Sequence, residues 1–117
     1  MRKSESLSGD WEQNWQVDDV DNSIKHNNKK LQLYQLGKSI VGKFYHNNRT
    51  YIIRARVENN SYISGTWFDE KSGQVYYGAF QARIEVNQQD VNGVWIGFSR
   101  SHSKINTGSW KWCRCAE

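Results

Sequence analysis

The sequence predicts an all-β fold, a closed eight-stranded antiparallel up-and-down barrel, on the strength of three observations. The pattern Gly-x-Trp recurs as Gly9-Asp10-Trp11, Gly65-Thr66-Trp67, Gly93-Val94-Trp95 and Gly108-Ser109-Trp110, four of the six tryptophans standing at one local position. In a strand, residues two apart share a face, so each glycine leaves room beside an indole or lets the sheet coil tightly. Proline is absent, where average usage of about 5% would give roughly six, as expected when most backbone donors are used in a ladder. Apolar and polar residues also alternate over short runs separated by turn residues, and no window carries the 3.6-residue stripe of a helix.

The elements follow in order. The first strand covers residues 9–17, with Trp11 and Trp15 on one face. Residues 18–29 are polar, with Asn27-Asn28 as a turn and space for one short helical turn. Strands at 30–36 and 39–45 flank the tight turn Gly37-Lys38. Asn47-Asn48 and Asn59-Asn60 bracket a strand at 50–58, because asparagine tolerates the left-handed backbone of tight hairpins. The next strands are 61–68 and 75–86, parted by the polar run 69–74. Residues 87–90 turn into a strand at 91–99, and the polar run 100–107 forms a loop before the last strand at 108–114.

Parity assigns the faces. Tyr51, Ile53, Ala55 and Val57 oppose Thr50, Ile52, Arg54 and Arg56, while Tyr76, Gly78, Phe80, Ala82, Ile84 and Val86 oppose Tyr77, Gln81, Arg83 and Glu85. The first set of each faces in, and the same rule puts all six tryptophans inside. The 91–99 strand is apolar on its other face too, at Val94, Ile96 and Phe98, which predicts either a covering tail or a contact surface. The first and last strands each carry tryptophans at alternate positions. Pairing them, with Trp11 and Trp110 at the seam, closes the sheet and leaves no free edge.

At 117 residues the chain is one domain, read as an N-terminal flank at 1–8 and a barrel at 9–117. Its net charge of +4 is compatible with an anionic partner and equally with plain solubility. No apolar run approaches the roughly 18 residues that cross a bilayer. Cys113 and Cys115 lack histidines at ligand spacing, so no metal is expected, and the reducing cytosol suits unpaired thiols. No nucleophile elbow or phosphate loop is present, and Asp18-Asp19 and Asp69-Glu70 read as solvated turn charge, so the chain reads as a non-enzyme without a cofactor. Binding fits better. An aromatic interior offers flat faces to planar ligands, and Arg49, Arg54, Arg56, Arg100 and Lys104 fall near strand ends.

Four segments, Gly65-Thr66-Trp67-Phe68-Asp69, Tyr77-Gly78-Ala79-Phe80-Gln81, Gly93-Val94-Trp95-Ile96-Gly97-Phe98-Ser99 and Asn106-Thr107-Gly108-Ser109-Trp110-Lys111-Trp112, carry a resemblance to a known family. Across about residues 8–112 the chain resembles the sensor domain of the two-transmembrane, β-strand-rich CBASS antiphage effectors, the CD-NTase-associated membrane-disrupting effectors. The resemblance implies a minimal eight-stranded barrel that recognises a cyclic dinucleotide, oligomerises, and disrupts the inner membrane through an N-terminal segment this chain lacks. It thus implies a bacterial cytoplasmic fragment of an inner-membrane protein, with self-association and the second messenger as partners and no nucleic acid polymer.

Within that reading Tyr51, Trp67, Tyr76 and Trp95 are the candidates for stacking, and Arg100, Lys104 and Asn106 for phosphates, the 100–107 loop being the polar loop next to Gly97-Phe98-Ser99. Tyr77 and Gln81 lie in the resembling segments but on the outer face. Val94, Ile96 and Phe98 are the candidates for self-association. The alternative is a lipocalin-like or avidin-like carrier of a small planar or apolar molecule, which an interior cavity of several hundred Å³ would favour. A structural module assembling through the 91–99 strand is a third reading.

Overall fold

A computed structural model describes residues 6–18, 24–71, 76–99 and 102–115. Eight strands close a barrel in chain order: β1 Gly9–Val17, β2 Ile24–Leu36, β3 Ser39–His46, β4 Arg49–Glu58, β5 Tyr62–Asp69, β6 Tyr76–Ile84, β7 Asp90–Ser99 and β8 His102–Arg114. Each pairs antiparallel with its neighbour, and β1 pairs with β8. The alternation read from the sequence is met in β4 and β6: Tyr51, Ile53 and Val57, then Phe80, Ala82 and Ile84, are buried. Asn47, Asn48, Asn59 and Asn60 all have positive φ, from 50° to 62°. Two central residues in that region make the hairpin turn whose twist matches the flanking strands.

Three boundaries differ from expectation. Asn27-Asn28 is no turn but lies inside β2, at the irregularity between Gln13↔Lys29 and Trp15↔His26, beyond which the ladder to β1 continues to Val17↔Ile24. The loop expected at 100–107 is mostly β8, whose ladder with β7 runs to Ser99↔His102. Strand-pairing overrides the local turn preference of polar residues in both cases. Val86, expected inside, stands past the end of β6 and is 83% exposed.

The seam also differs in register. Trp11 lies opposite Arg114, Gln13 opposite Trp112, and Trp15 opposite Trp110, so Trp11 and Trp110 are not partners. Trp11 instead packs edge-on against Trp112, ring centres 6.4 Å apart. A bulge between Gln13 and Trp15 in the ladder to β2 accompanies this shift.

The two ends of the barrel are unlike. At the end carrying the β2–β3, β4–β5 and β6–β7 turns, Trp11, Leu33, Ile40, Val57, Ile63, Ile84, Val91 and Trp112 fill the interior. Leu7, from the segment read as a flank, is buried with them. Its N–H donates to Gln35 Oε1 at 2.8 Å, its carbonyl accepts from Trp11 Nε1 at 2.9 Å, and the Arg114 guanidinium lies over the Trp11 ring. Each such buried side chain contributes about 1.5–3 kcal/mol. At the other end the described residues leave a cavity.

Candidate functional site

The open end holds a cavity of about 310 Å³. Its lining comes from the late residues of β1, β3, β5 and β7 and the early residues of β4, β6 and β8, which strand alternation delivers to one mouth. Aromatic rings run round the wall in contact: Trp15 with Phe44 (5.8 Å), Phe44 stacked on Tyr51 (5.1 Å, 11°), Tyr51 with Trp67 (6.1 Å), and Trp67 edge-on to Trp95 (6.0 Å). Trp110 forms the floor, in contact with Phe44 and Phe80.

Three of the four lining indoles have their N–H groups engaged by the protein. Trp67 Nε1 donates to the Ile96 carbonyl (3.2 Å), Trp95 Nε1 to the Gln16 carbonyl (3.0 Å), and Trp110 Nε1 to Gln13 Oε1 (2.8 Å). What these rings offer the cavity is therefore surface for stacking and apolar contact. A Cβ on Gly97 would lie 2.6 Å from Trp67 and 2.9 Å from Trp95, so glycine there lets the two indoles converge without being pushed inward. Gly108 allows the last strand to cross β1 closely: a Cβ would fall 1.6 Å from the Gln16 carbonyl. Gly65 and Gly93 likewise lie against a neighbouring strand, a Cβ falling 2.3 Å from the Arg54 carbonyl and 2.4 Å from Ala82, whereas Gly9 has open space beside it.

Polar groups sit at the rim: His46, Asn47, Arg49, Tyr76 and Asn106. Arg49 is the one arginine or lysine among the described residues that lines the cavity. Its Nη1 donates to Asp69, a carboxylate with no exposed surface, and its guanidinium lies over the Tyr76 ring, 5.3 Å from the centre. The second Asp69 oxygen accepts from the Lys71 N–H at 2.9 Å. Tyr51, next to this pair, has its phenol pushed up to about 12, by burial first and then by the Asp69 carboxylate, with Arg49 opposing. Near neutral pH it is a neutral hydroxyl. The site as built is thus an apolar, aromatic slot with one tethered cation and several amide and hydroxyl groups at its lip.

Of the residues expected to meet a ligand, Tyr51, Trp67, Tyr76, Trp95 and Asn106 are brought together. Arg100 lies outside the described residues, and so does the side chain of Lys104, whose backbone belongs to β8. Asn106 reaches the rim from within a strand, opposite Gly97, and not from a loop. The cavity also takes Trp15, Val17, Phe44, His46, Asn47 and Trp110, which the sequence does not single out for a ligand, and Arg49, which it marks only as one of several basic residues near strand ends. A signal existed for most of them, since the alternation that selected Tyr51 also points Trp15, Phe44 and Trp110 inward. Arg49 carried none, for the burial of its partner Asp69 depends on the closed barrel.

The outer face of β7 is open. Val94 is 59% and Ile96 38% exposed, so none of the described residues covers them fully, while Phe98 borders the mouth and packs on Tyr77, ring centres 5.4 Å apart. Arg54 lies over Phe68 and Arg56 pairs with Glu58 (3.6 Å), both on exposed outer positions and away from the cavity. Among the described residues no helix is long and apolar enough to cross a membrane, which says nothing of strands.

No protein-family model matches the chain, and no curated protein does. Among solved structures, the chain is similar to that of EF1p2_mFAP2b bound to DFHBI, with a TM-score of 0.62 and 11% identity over 93% of this chain and 94% of that one. At such low identity, what the two share is the closed β-barrel.

Proposed function

We propose that this barrel is a non-catalytic receptor for a small planar ligand carrying an anionic group, and that a cyclic dinucleotide is the ligand class. The observation that carries the reading is the mouth cavity itself: a ring of indole and phenol faces with a guanidinium at its edge. Stacking on such faces contributes about 1–3 kcal/mol per base, and a guanidinium is suited to phosphate oxygens. At about 310 Å³ the cavity lies at the small end of ligand sites. It suits one base, with the second base and the phosphodiesters at the lip beside Arg49, Asn47 and Asn106. The resemblance to the CBASS effectors is the reason to name this ligand class. It also carries the expectation that binding promotes self-association through Val94, Ile96 and Phe98, ahead of membrane disruption by the whole effector.

A second reading is favoured by a specific observation. An interior cavity of this size is what a carrier of a neutral planar or apolar molecule requires, and a barrel of the same fold has been solved with DFHBI bound. Calorimetric titration with a panel of cyclic dinucleotides, beside uncharged planar compounds of one or two rings, separates the two. Saturable binding confined to the cyclic dinucleotides supports the receptor. Binding of the uncharged compounds alone makes the protein a carrier.

A further inference from the structure

We infer that Arg49, held by Asp69 and set over the Tyr76 ring, is the group that reads ligand charge, so that the cavity selects planar ligands bearing a phosphate or carboxylate at the ring's outer edge. This rests on the proposed planar-ligand site and names the residue that sets its charge selectivity.

Three features of the pair point this way. The first is position. Arg49 opens β4 directly after the Asn47-Asn48 turn and lines the cavity, whereas Asp69 closes β5 opposite Tyr51 and is fully buried. The carboxylate therefore holds the guanidinium from the protein side, and the side chain stays 29% exposed toward the mouth. The second is donor capacity. A guanidinium has five N–H donors in a rigid plane, and the bond to Asp69 engages Nη1, so a planar fork remains for an incoming oxyanion. The third is orientation. The guanidinium carbon sits 5.3 Å over the Tyr76 ring while Nη1 is bonded to Asp69, and two such contacts restrict the side chain, which lowers the rotamer entropy lost when an anion binds.

The architecture also explains why the pair exists in a place that adds little stability. A buried ion pair is often no better for folding than an apolar pair of similar shape. Here Asp69 serves as a positioning residue: it neutralises the cation in the empty protein, satisfies the Lys71 N–H, and aims Arg49. The other polar groups of the rim, His46, Asn47, Tyr76 and Asn106, carry no permanent charge, and the indole N–H groups of Trp67, Trp95 and Trp110 are engaged by the protein. Among the described lining residues, discrimination by fixed charge falls to Arg49.

The test compares two probes that share one ring system and differ by an anionic phosphate group, 1-naphthol and 1-naphthyl phosphate, followed by quenching of tryptophan emission. The phosphate ester is expected to bind the wild type about tenfold more tightly, the scale of one charge-assisted hydrogen bond. Arg49→Gln should bring the ratio of the two affinities to near one, and Arg49→Lys, which keeps charge but loses the fork, should leave an intermediate ratio. Since Arg49→Gln strands a buried carboxylate, the double change Arg49→Gln with Asp69→Asn removes both charges and gives the same readout in a protein without that penalty. Naphthol binding with no preference for the ester overturns the inference while leaving the cavity reading intact. A preference that survives in both glutamine variants also overturns it, by placing recognition on another cation. If neither probe binds, the planar-ligand reading fails and the inference falls with it.

Discussion

The two ends of one barrel are built from the same residue types and do opposite things. At the closed end Trp11 and Trp112 are packed to 0% and 2% exposure, with Leu7 beneath them and Arg114 over the Trp11 ring. At the mouth Trp15 and Trp67 keep partial exposure and surround free volume of about 310 Å³. Both halves show the same inward alternation, so residue pattern alone does not separate filler from binding surface. What separates them, among the described residues, is whether another segment finishes the packing: residues 6–8 do so at one end, and at the other the described rim residues, several of them polar, border free volume.

The sharpest way to break this comparison is to truncate one indole at each end. Trp11→Ala is expected to cost about 3–5 kcal/mol in urea unfolding, as for other buried aromatic truncations. Trp67→Ala, at a partly buried position, should cost about 1–2 kcal/mol, yet lose the naphthyl probes. Equal destabilisation would mean the mouth is as much core as the base.

The next effect is confined to the mouth and to alkaline pH. Tyr51 titrates at about 12 in the folded protein and near 10 when unfolded. Because the folded value is the higher one, the contribution of the neutral phenol is complete below pH about 10 and is lost as pH rises through 12, by on the order of 2 kcal/mol. Tyr51→Phe should therefore flatten the fall in stability between pH about 9 and 12, measured by denaturant midpoints. Parallel curves for the two proteins would refute the assigned environment.

The smallest effect should be the same at both ends. Asn48, at the mouth, and Asn60, at the base, have φ of 62° and 53°. Replacing either with alanine should lower the thermal midpoint by the equivalent of about 1 kcal/mol, the cost of a left-handed alanine, and glycine should be neutral or better. A large asymmetry would show that one turn has a role beyond backbone geometry.

Much of this was legible in the residues, for stated reasons. The barrel followed from alternation plus two strands able to close it, and the Asn-Asn hairpins from the steric tolerance of asparagine. Asn27-Asn28 and the 100–107 run misled because strand-pairing partners are remote in sequence and outweigh local preference. Trp11 and Trp110 were matched by their motif, whereas the seam's register sets Trp15 beside Trp110. In the site, Tyr51, Trp67, Tyr76, Trp95 and Asn106 were reached from faces and neighbouring motifs. Arg49 was not placed there, because a cation's role depends on a buried counter-charge twenty residues away, and nothing local marks Asp69 as buried. Gln13 was missed although it sits between two inward tryptophans; its amide oxygen accepts from Trp110 and holds the cavity floor.

The closed ring of strands also ties binding competence to chain connectivity. Seven of the eight strand pairings join neighbours through short links, while the eighth closes a loop across the whole chain, the Gln13–Trp110 bond alone spanning 97 residues. Loop-closure entropy rises slowly with length but is greatest there. The cavity takes Trp15 and Val17 from β1 and Asn106 and Trp110 from β8, one pair from each side of that junction. A chain with every hairpin formed and the seam open has most of its sheet and no binding site, so ligand affinity reports on the longest-range contact in the molecule.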